Sequence, residues 1–455
     1  MIARRAAGTS VALNPEKKFS NPPAPAALGA LRQAGTAPTM RFPVGSTILT
    51  QNEFSELGLQ ESLLRALSAE NYQHPTPIQT RSIPPLLAGK DLLGIAQTGT
   101  GKTAAFGLPI LQNLAALSDR PVPRSPRALI VAPTRELAIQ IGQALRNYGR
   151  HLSLRHAVIF GGVGQKPQVD ALRRGVDIVV ATPGRLLDLM NQQHLRLDKV
   201  VHFVLDEADR MLDMGFIHDV KKIVAALPKR RQTMFFSATM PNAVSGLAGA
   251  ILRDPVQAAV TPSATPVDRI KQSVFFVEGE GKRALLADIL KDPALERIII
   301  FTRTKHRANR VADQLDRIGV TAQAIHGNKS QNARQRALEA FRKGKSRVLV
   351  ATDIAARGID IDGVTHVINY ELPNVAEDYV HRIGRTARAG ASGASISLCD
   401  PSEQAYLRAI ESLTKNRLTV AGGEPARHEL KPANANRRGG NSGKRRRPQR
   451  SRRAA

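Results

Sequence analysis

The chain has 455 residues, room for two or three domains at ~150 residues each. An apolar content of 42% supports real cores, and no apolar run approaches the ~18 residues of a membrane span. A single cysteine, Cys399, excludes an internal disulfide and a cysteine-based zinc site, and fits a reducing compartment. The formal net charge of +28 points to a polyanionic partner, nucleic acid or an anionic surface.

Residues 1–52 carry six basic residues and one acid, are rich in Ala and Pro, and lack helical or strand periodicity. They read as a disordered extension. A transit peptide or a start at Met40 would explain the same composition, but the ~7–15-residue apolar stretch of a secretory signal is missing. From residue 53 to 420, short apolar runs alternate with helix-length amphipathic stretches. One set of strand candidates is Asp91–Ala96, Ala128–Ala132, Ala157–Phe160, Asp177–Ala181, His202–Leu205 and Thr233–Phe236. A second set is Arg297–Phe301, Thr321–Ile325, Arg347–Ala351, His366–Asn369 and Ala394–Leu398. Runs that are apolar throughout suit parallel strands buried on both faces. The stretch Asp254 to Pro266, with three prolines, reads as a linker. The expected plan is therefore an α/β chain with a first domain over 53–256, a linker over 257–266 and a second domain over 267–420. A basic tail occupies 421–455. Its last 29 residues hold eleven basic residues, one acid and no aromatic residue, a composition for contacting phosphates without stacking on bases.

Asp91–Ala96 runs into Gln97-Thr98-Gly99-Thr100-Gly101-Lys102-Thr103 and then a helix expected near Ala104. A strand, a Gly-rich turn ending Gly-Lys-Thr and a helix form a phosphate-binding loop. Glycines let backbone N–H groups curl round phosphate at the positive end of a helix. Lys102 supplies charge to the β- and γ-phosphates, and the Thr103 hydroxyl can ligate Mg²⁺. Ala96 stands where the loop's first glycine is usual. His202–Leu205 delivers Asp206-Glu207-Ala208-Asp209, three carboxylates after a buried strand. Asp206 is placed to hold Mg²⁺ and Glu207 to orient and deprotonate an attacking water.

With these motifs in place, residues 54–398 resemble the two-domain core of the DEAD-box RNA helicases, a family named for this acidic tetrapeptide. Further matches occur in the family's order: Pro75 to Gln79, Pro133 to Ala138, Gly161-Gly162, Thr182-Pro183-Gly184-Arg185, Ser237-Ala238-Thr239 and Phe301 to Thr304. Ala351-Thr352-Asp353 through Gly358-Ile359-Asp360 follow, and then His381 to Arg388. The run Arg210 to Phe216 resembles bacterial RhlE-type members in particular. The resemblance implies two tandem RecA-like parallel-sheet domains with disordered basic extensions.

It also implies that Gln79 reads the adenine edge, that Phe54 stacks on the ring, and that Thr98, Gly99, Thr100, Gly101, Lys102 and Thr103 hold the phosphates. Asn71 stands where many members have glycine. From the second domain, the resemblance implies Arg385 and Arg388 as arginine fingers, with His381 beside them. Ala387 replaces a glycine common in the family. By the same resemblance Asp353 and Asp360 are expected to reach the γ-phosphate region and ribose, and Ser237 and Thr239 to couple to the acidic motif through Asp209. Thr134, Arg135, Gly162, Thr182 and Arg185 in the first domain, and Arg303, Gln331, Arg334 and Thr352 in the second, are the expected RNA contacts. Thr134 and Thr182 each follow a strand and open a helix, presenting hydroxyl and N–H groups to phosphate. Such contacts read backbone rather than bases.

The expected activity is ATP- and Mg²⁺-dependent local unwinding of RNA by a cytoplasmic monomer, with no membrane contact and with ribosomal or RNA-decay proteins as possible partners. An ATP-gated RNA clamp or annealing chaperone is a second reading, and a DNA-directed motor a third.

Overall fold

The computed structural model describes residues 53–260, 270–356, 361, 363–387 and 393–425. The expected N-terminal extension, most of the expected tail, and the candidate residues Asp360 and Arg388 lie outside them.

The first seven strands are β1 (Leu92–Ile95), β2 (Ala128–Val131), β3 (His156–Ile159), β4 (Ile178–Ala181), β5 (His202–Leu205), β6 (Gln232–Ser237) and β7 (Val256–Ala259). They form one sheet in the order β3-β4-β2-β5-β6-β1-β7, and every pairing is parallel. The second seven are β8 (Ile270–Phe276), β9 (Ile298–Phe301), β10 (Ala322–Ile325), β11 (Val348–Ala351), β12 (His366–Asn369), β13 (Gly393–Cys399) and β14 (Thr419–Gly422). Their order, β10-β11-β9-β12-β13-β8-β14, repeats the first with every number raised by seven. Two copies of one topology thus stand in tandem, the α/β plan expected from the alternating runs.

The apolar strands are continuous because both faces are covered. In the first sheet Ile130, Ile178, Val180 and Phe236 face a core shared with Phe106, Leu108 and Ile141. Their neighbours Leu129, Val131, Val179 and Phe235 face an opposite core with Leu186, Met211 and Ile223. The period-2 alternation of strand side chains feeds both layers from one run of residues. The second sheet is divided likewise, Ile298, Ile300 and Val350 on one side and Ile299, Phe301 and Leu349 on the other.

One expectation needs correcting. The stretch 254–266 is not all linker, because β7 pairs along the whole of β1, from Leu92↔Val256 to Ile95↔Ala259. An edge strand buries little, and here only Ala258 is fully covered, so its sequence carries no apolar run. The same holds for β14, which is exposed along most of its length and extends the second sheet to Gly422, past the expected boundary at 420. Parallel strands leave all carboxyl ends on one side of each sheet, where ligands of open α/β sheets bind.

Candidate functional site

Between β1 and the helix Lys102–Ala115 the chain turns through Gly99 (φ +84°) and Gly101 (φ +94°), left-handed conformations suited to glycine. Gly101 has a second reason to lack a side chain, since a Cβ there would stand 2.4 Å from Gln79 Nε2. The helix begins at Lys102, two residues before the expected start. Lys102 is buried, its Nζ donates to the Ala96 carbonyl at 3.1 Å, and it lies 3.8 Å from Asp206 Oδ1. Thr100 Oγ1 donates to the Gln97 carbonyl at 2.7 Å and holds the turn closed. Gln79 is wholly buried near the start of the helix Pro77–Leu87. Its Oε1 accepts from Thr76 N at 2.9 Å and its Nε2 donates to the Gly101 carbonyl at 3.1 Å. It therefore joins the expected adenine side of the site to the phosphate loop, with one donor and one acceptor position to spare. Phe54 packs edge-on to Tyr72, ring centroids 6.4 Å apart.

The end of β5 brings the acidic motif against this loop. Glu207 adopts a left-handed backbone (φ +55°, ψ +51°) as it caps the helix Ala208–Asp213. Its two carboxylate oxygens are held from opposite elements: Thr98 Oγ1 donates to Oε1 at 2.8 Å, and Arg210 NH1 to Oε2 at 2.9 Å. Burial alone would raise its pKa, but Arg210, Lys102, the Thr98 hydroxyl and Arg385 overcome it and hold the carboxyl down to about 2. Asp206 goes the other way. Burial pushes it up to about 6, with Lys102 opposing and Glu207 adding. Its Oδ1 is buried without a hydrogen-bond donor. A desolvated carboxylate oxygen without a donor, beside the phosphate loop and its Thr103, fits a magnesium ion that Asp206 and Thr103 would hold. Among the described residues no cluster of three or more His, Cys, Asp or Glu could hold a metal without such help.

Asp209 turns away from the loop. Its Oδ2 accepts from Thr239 Oγ1 and Thr239 N, each at 2.9 Å, and from Ala238 N, while Ser237 Oγ accepts from Asp209 N at 3.3 Å. The expected link between the acidic motif and the end of β6 is thus built from four hydrogen bonds.

The second domain meets this site through Arg385, which is buried. Burial and the neighbouring Arg210 pull its pKa down to about 9 against the attraction of Glu207. His381 lines the same small recess as Asp353, Arg382 and Arg385. Asp353 has a partner the sequence did not disclose. Arg382, almost wholly buried, donates through Nε and NH2 to its two carboxylate oxygens at 2.5 and 2.8 Å. Asp353 therefore anchors the helix Ala376–Ile383 in addition to any contact with nucleotide.

The expected RNA residues divide. Thr134 caps the helix Arg135–Tyr148 by accepting from Leu137 N at 3.3 Å, and Thr182 occupies the same position before the helix Pro183–Asn191. Gly162 makes room for Arg135, because a Cβ on it would stand 2.2 Å from the guanidinium. Arg135 is lowered chiefly by burial, with Arg334 and Arg185 adding and Glu136 opposing. Arg185 pairs with Asp188 at 3.3 Å, and Thr352 stands at the start of the short helix Asp353–Ala356.

Gln331 and Arg334 have a protein partner. Both are buried, and Gln331 Nε2 and Arg334 Nε donate to the same oxygen, Glu136 Oε1, at 3.0 and 2.9 Å. They stitch the second domain to the first. Arg303 is likewise engaged, donating to Glu403 Oε1 at 2.9 Å and Asn374 Oδ1 at 3.3 Å.

Sequence reading gave Glu136, Arg210, Arg382 and Glu403 no role. The first three lie inside matched motifs, but their partners stand up to 198 residues away or across a turn no pattern defines.

Comparison with known proteins agrees with this geometry. Residues 76–246 match the DEAD/DEAH box helicase model and residues 281–390 the helicase conserved C-terminal domain. The chain is 44% identical over 366 residues to the ATP-dependent RNA helicase CshA of Listeria monocytogenes, covering 80% of this chain and 69% of that one. It is 42% identical over 383 residues to the ATP-dependent RNA helicase DeaD of Mycobacterium tuberculosis, covering 84% and 67%. Among solved structures it resembles S. cerevisiae Dbp5 bound to RNA and ADP BeF3, with a TM-score of 0.72 and 34% identity over 81% of this chain and 95% of that one. Mss116p bound to ssRNA and AMP-PNP gives the same TM-score at 29% identity, covering 82% and 79%. With both helicase models matched and an Asp-Glu-Ala-Asp turn at the end of a strand in the first of two parallel sheets, the chain belongs to the DEAD-box family of ATP-dependent RNA helicases.

Proposed function

We propose that this protein is an RNA-stimulated ATPase that uses closure of its two domains to unwind or remodel short RNA duplexes. The observation that carries the reading is the meeting of Arg385 with Glu207 across the domain boundary, within reach of each other's charge. Lys102 offsets phosphate charge, Glu207 orients a water and accepts its proton, and Arg385 compensates the charge that grows on the transferred phosphoryl group. Held by Thr103 and Asp206, magnesium would add charge at the β- and γ-oxygens. Because the finger comes from the second domain, turnover depends on closure.

RNA is taken as substrate because the charges of Arg334 and Arg185 both act on Arg135, a positive convergence suited to a phosphate backbone. The finer readings belong to the same proposal: a monomer working in the cytoplasm, an RhlE-like branch supported by Arg210 to Phe216, and ribosomal or RNA-decay partners. No helix among the described residues is long and apolar enough to cross a membrane.

The buried stitch of Gln331 and Arg334 to Glu136 favours a second reading, a clamp that stays closed on RNA. A strand-displacement assay with ATP, run beside ATPase on RNA and on DNA of the same sequence, tests both. RNA-specific ATPase with duplex separation supports the helicase. RNA-specific ATPase with retention but no separation supports the clamp, and equal stimulation by DNA overturns the substrate assignment.

A further inference from the structure

Arg210 follows the acidic tetrapeptide directly and is buried in the first turn of the helix Ala208–Asp213. Arginine is seldom buried without a task, since removing its charge from water is costly unless a carboxylate faces it. Its carboxylate is Glu207, at 2.9 Å. Thr98 already holds the other oxygen of Glu207, so Arg210 completes a two-sided grip on the carboxylate and fixes the plane in which its remaining lone pairs point. Without Arg210, Oε2 of this buried group would have no donor among the hydrogen bonds seen, and the carboxylate could turn about its last torsion with Thr98 as the only restraint. Arg210 also opposes the charge of Arg385, so the two guanidiniums lie within reach of each other's charge. The charges of two guanidiniums therefore act on one carboxylate, and Arg210 donates a hydrogen bond to it.

We infer that Arg210 is a positioning residue for hydrolysis: it orients the carboxylate of Glu207, and acts on turnover through that group alone. The inference rests on the reading of Glu207 as the water-activating residue and adds the element that aims it. A base must present a lone pair within hydrogen-bond reach of the proton it takes, and misplacement by ~1 Å costs ~10²-fold. Arg210→Ala is therefore expected to lower kcat of the RNA-stimulated ATPase by ~10–100-fold while leaving KM for ATP and half-saturation by RNA within about twofold. Arg210→Lys, which keeps charge and one donor, should recover part of the loss.

The deciding experiment is a double-mutant cycle on the full chain with Glu207→Gln. In the Glu207→Gln background, Arg210→Ala should change the residual rate by less than about twofold, because the group it aims is already gone. Thermal melts of each variant accompany the kinetics, and Arg210→Lys stands in should Arg210→Ala fold poorly. A full additional loss in the Glu207→Gln background, a raised KM with unchanged kcat, or wild-type kcat in Arg210→Ala would each overturn the inference. Glu207→Gln by itself separates the two levels of the argument. Near-normal turnover in that single variant removes Glu207 from the chemistry and the inference with it, whereas stalled turnover with additive loss at Arg210 defeats the inference alone.

Discussion

Of the seven non-glycine residues with positive φ among the described residues, Asn71, Glu207 and Ala387 differ in what holds them there. Asn71 (φ +59°) stands where the family often has glycine and is the non-glycine type that best tolerates this region. Glu207 (φ +55°) is held there by its hydrogen bonds to Thr98 and Arg210. Ala387 (φ +55°) has neither excuse. Its left-handed conformation costs about 1–2 kcal/mol, while glycine there would give back about 0.4–1 kcal/mol through greater freedom of the unfolded chain. Ala387→Gly is expected to raise Tm by a few degrees at most, roughly 2–4 °C per kcal/mol, with ATPase unchanged. A lower Tm in a calorimetric scan would show that neighbouring packing already offsets the strain.

Asp206 and Glu207 are adjacent yet are driven in opposite directions, one by burial and the other by cations. For Asp206 the folded pKa of about 6 lies above the ordinary value of 3.8. The folded protein therefore binds the extra proton between those values, and stability present below pH 4 is lost as the pH rises through 6. In magnesium-free, nucleotide-free protein, Asp206→Asn should be more stable than wild type at pH 7.5, by on the order of 2 kcal/mol, and lose that advantage below pH 4. Denaturant melts across the series measure it. Equal stability at pH 7.5 would mean that Lys102 fully compensates the buried charge. The same destabilised carboxylate is what makes the site receptive to a cation.

At the scale of elements, the repeated strand–turn–helix unit explains why binding residues recur at the same places. Thr134 caps the helix after β2, and Thr304, which follows the equivalent strand β9, caps the helix Lys305–Arg317 by accepting from Arg307 N at 3.2 Å. Removal of such a cap costs ~1 kcal/mol. Thr304→Ala should thus lower the stability of the second domain by about that amount in urea melts, and a loss several times larger would point to a further role for the hydroxyl. The helix Gln331–Arg342 and the helix Arg135–Tyr148 meet through Glu136. In an opened cleft Glu136 would regain water, so this contact belongs to closure rather than folding. Glu136→Gln is expected to leave Tm within about 1 °C, since a carboxylate that can reach water contributes little to folding. It should also reduce the closed fraction seen by fluorescence transfer between labels in the two domains with ATP and RNA bound. An unchanged closed fraction would relegate the stitch to a passive contact.

For the molecule as a whole, charge and chemistry are divided. The twin domains hold every group assigned to hydrolysis, whereas residues 427–455 hold eleven basic residues and no aromatic residue. Deletion of those residues is expected to raise the RNA concentration needed for half-maximal ATPase, with the maximal rate little changed. The slope of log affinity against log salt should flatten by ~0.7 for each single-strand phosphate that the shortened chain no longer neutralises. A slope equal to that of the full chain would assign those arginines to a protein partner or to solubility.

What the sequence determined by itself follows from how local its signals are. Apolar runs buried on both faces, a Gly-Lys-Thr turn after a strand and three carboxylates after another are contiguous patterns, so eleven strands, the phosphate loop and the acidic motif were legible without coordinates. Three strands were not: exposure frees the edge strands β7 and β14 from any hydrophobic pattern, and Lys271, Gln272 and Ser273 interrupt that of β8. Nor were the partners of Asp353, Gln331, Arg334 and Glu207. A guanidinium chooses its carboxylate by distance in space, and those distances are set only when two sheets, whose strands return in the order 3-4-2-5-6-1-7, bring residues from separate turns together. Residue type announced the chemistry; tertiary structure decided which charge answers which.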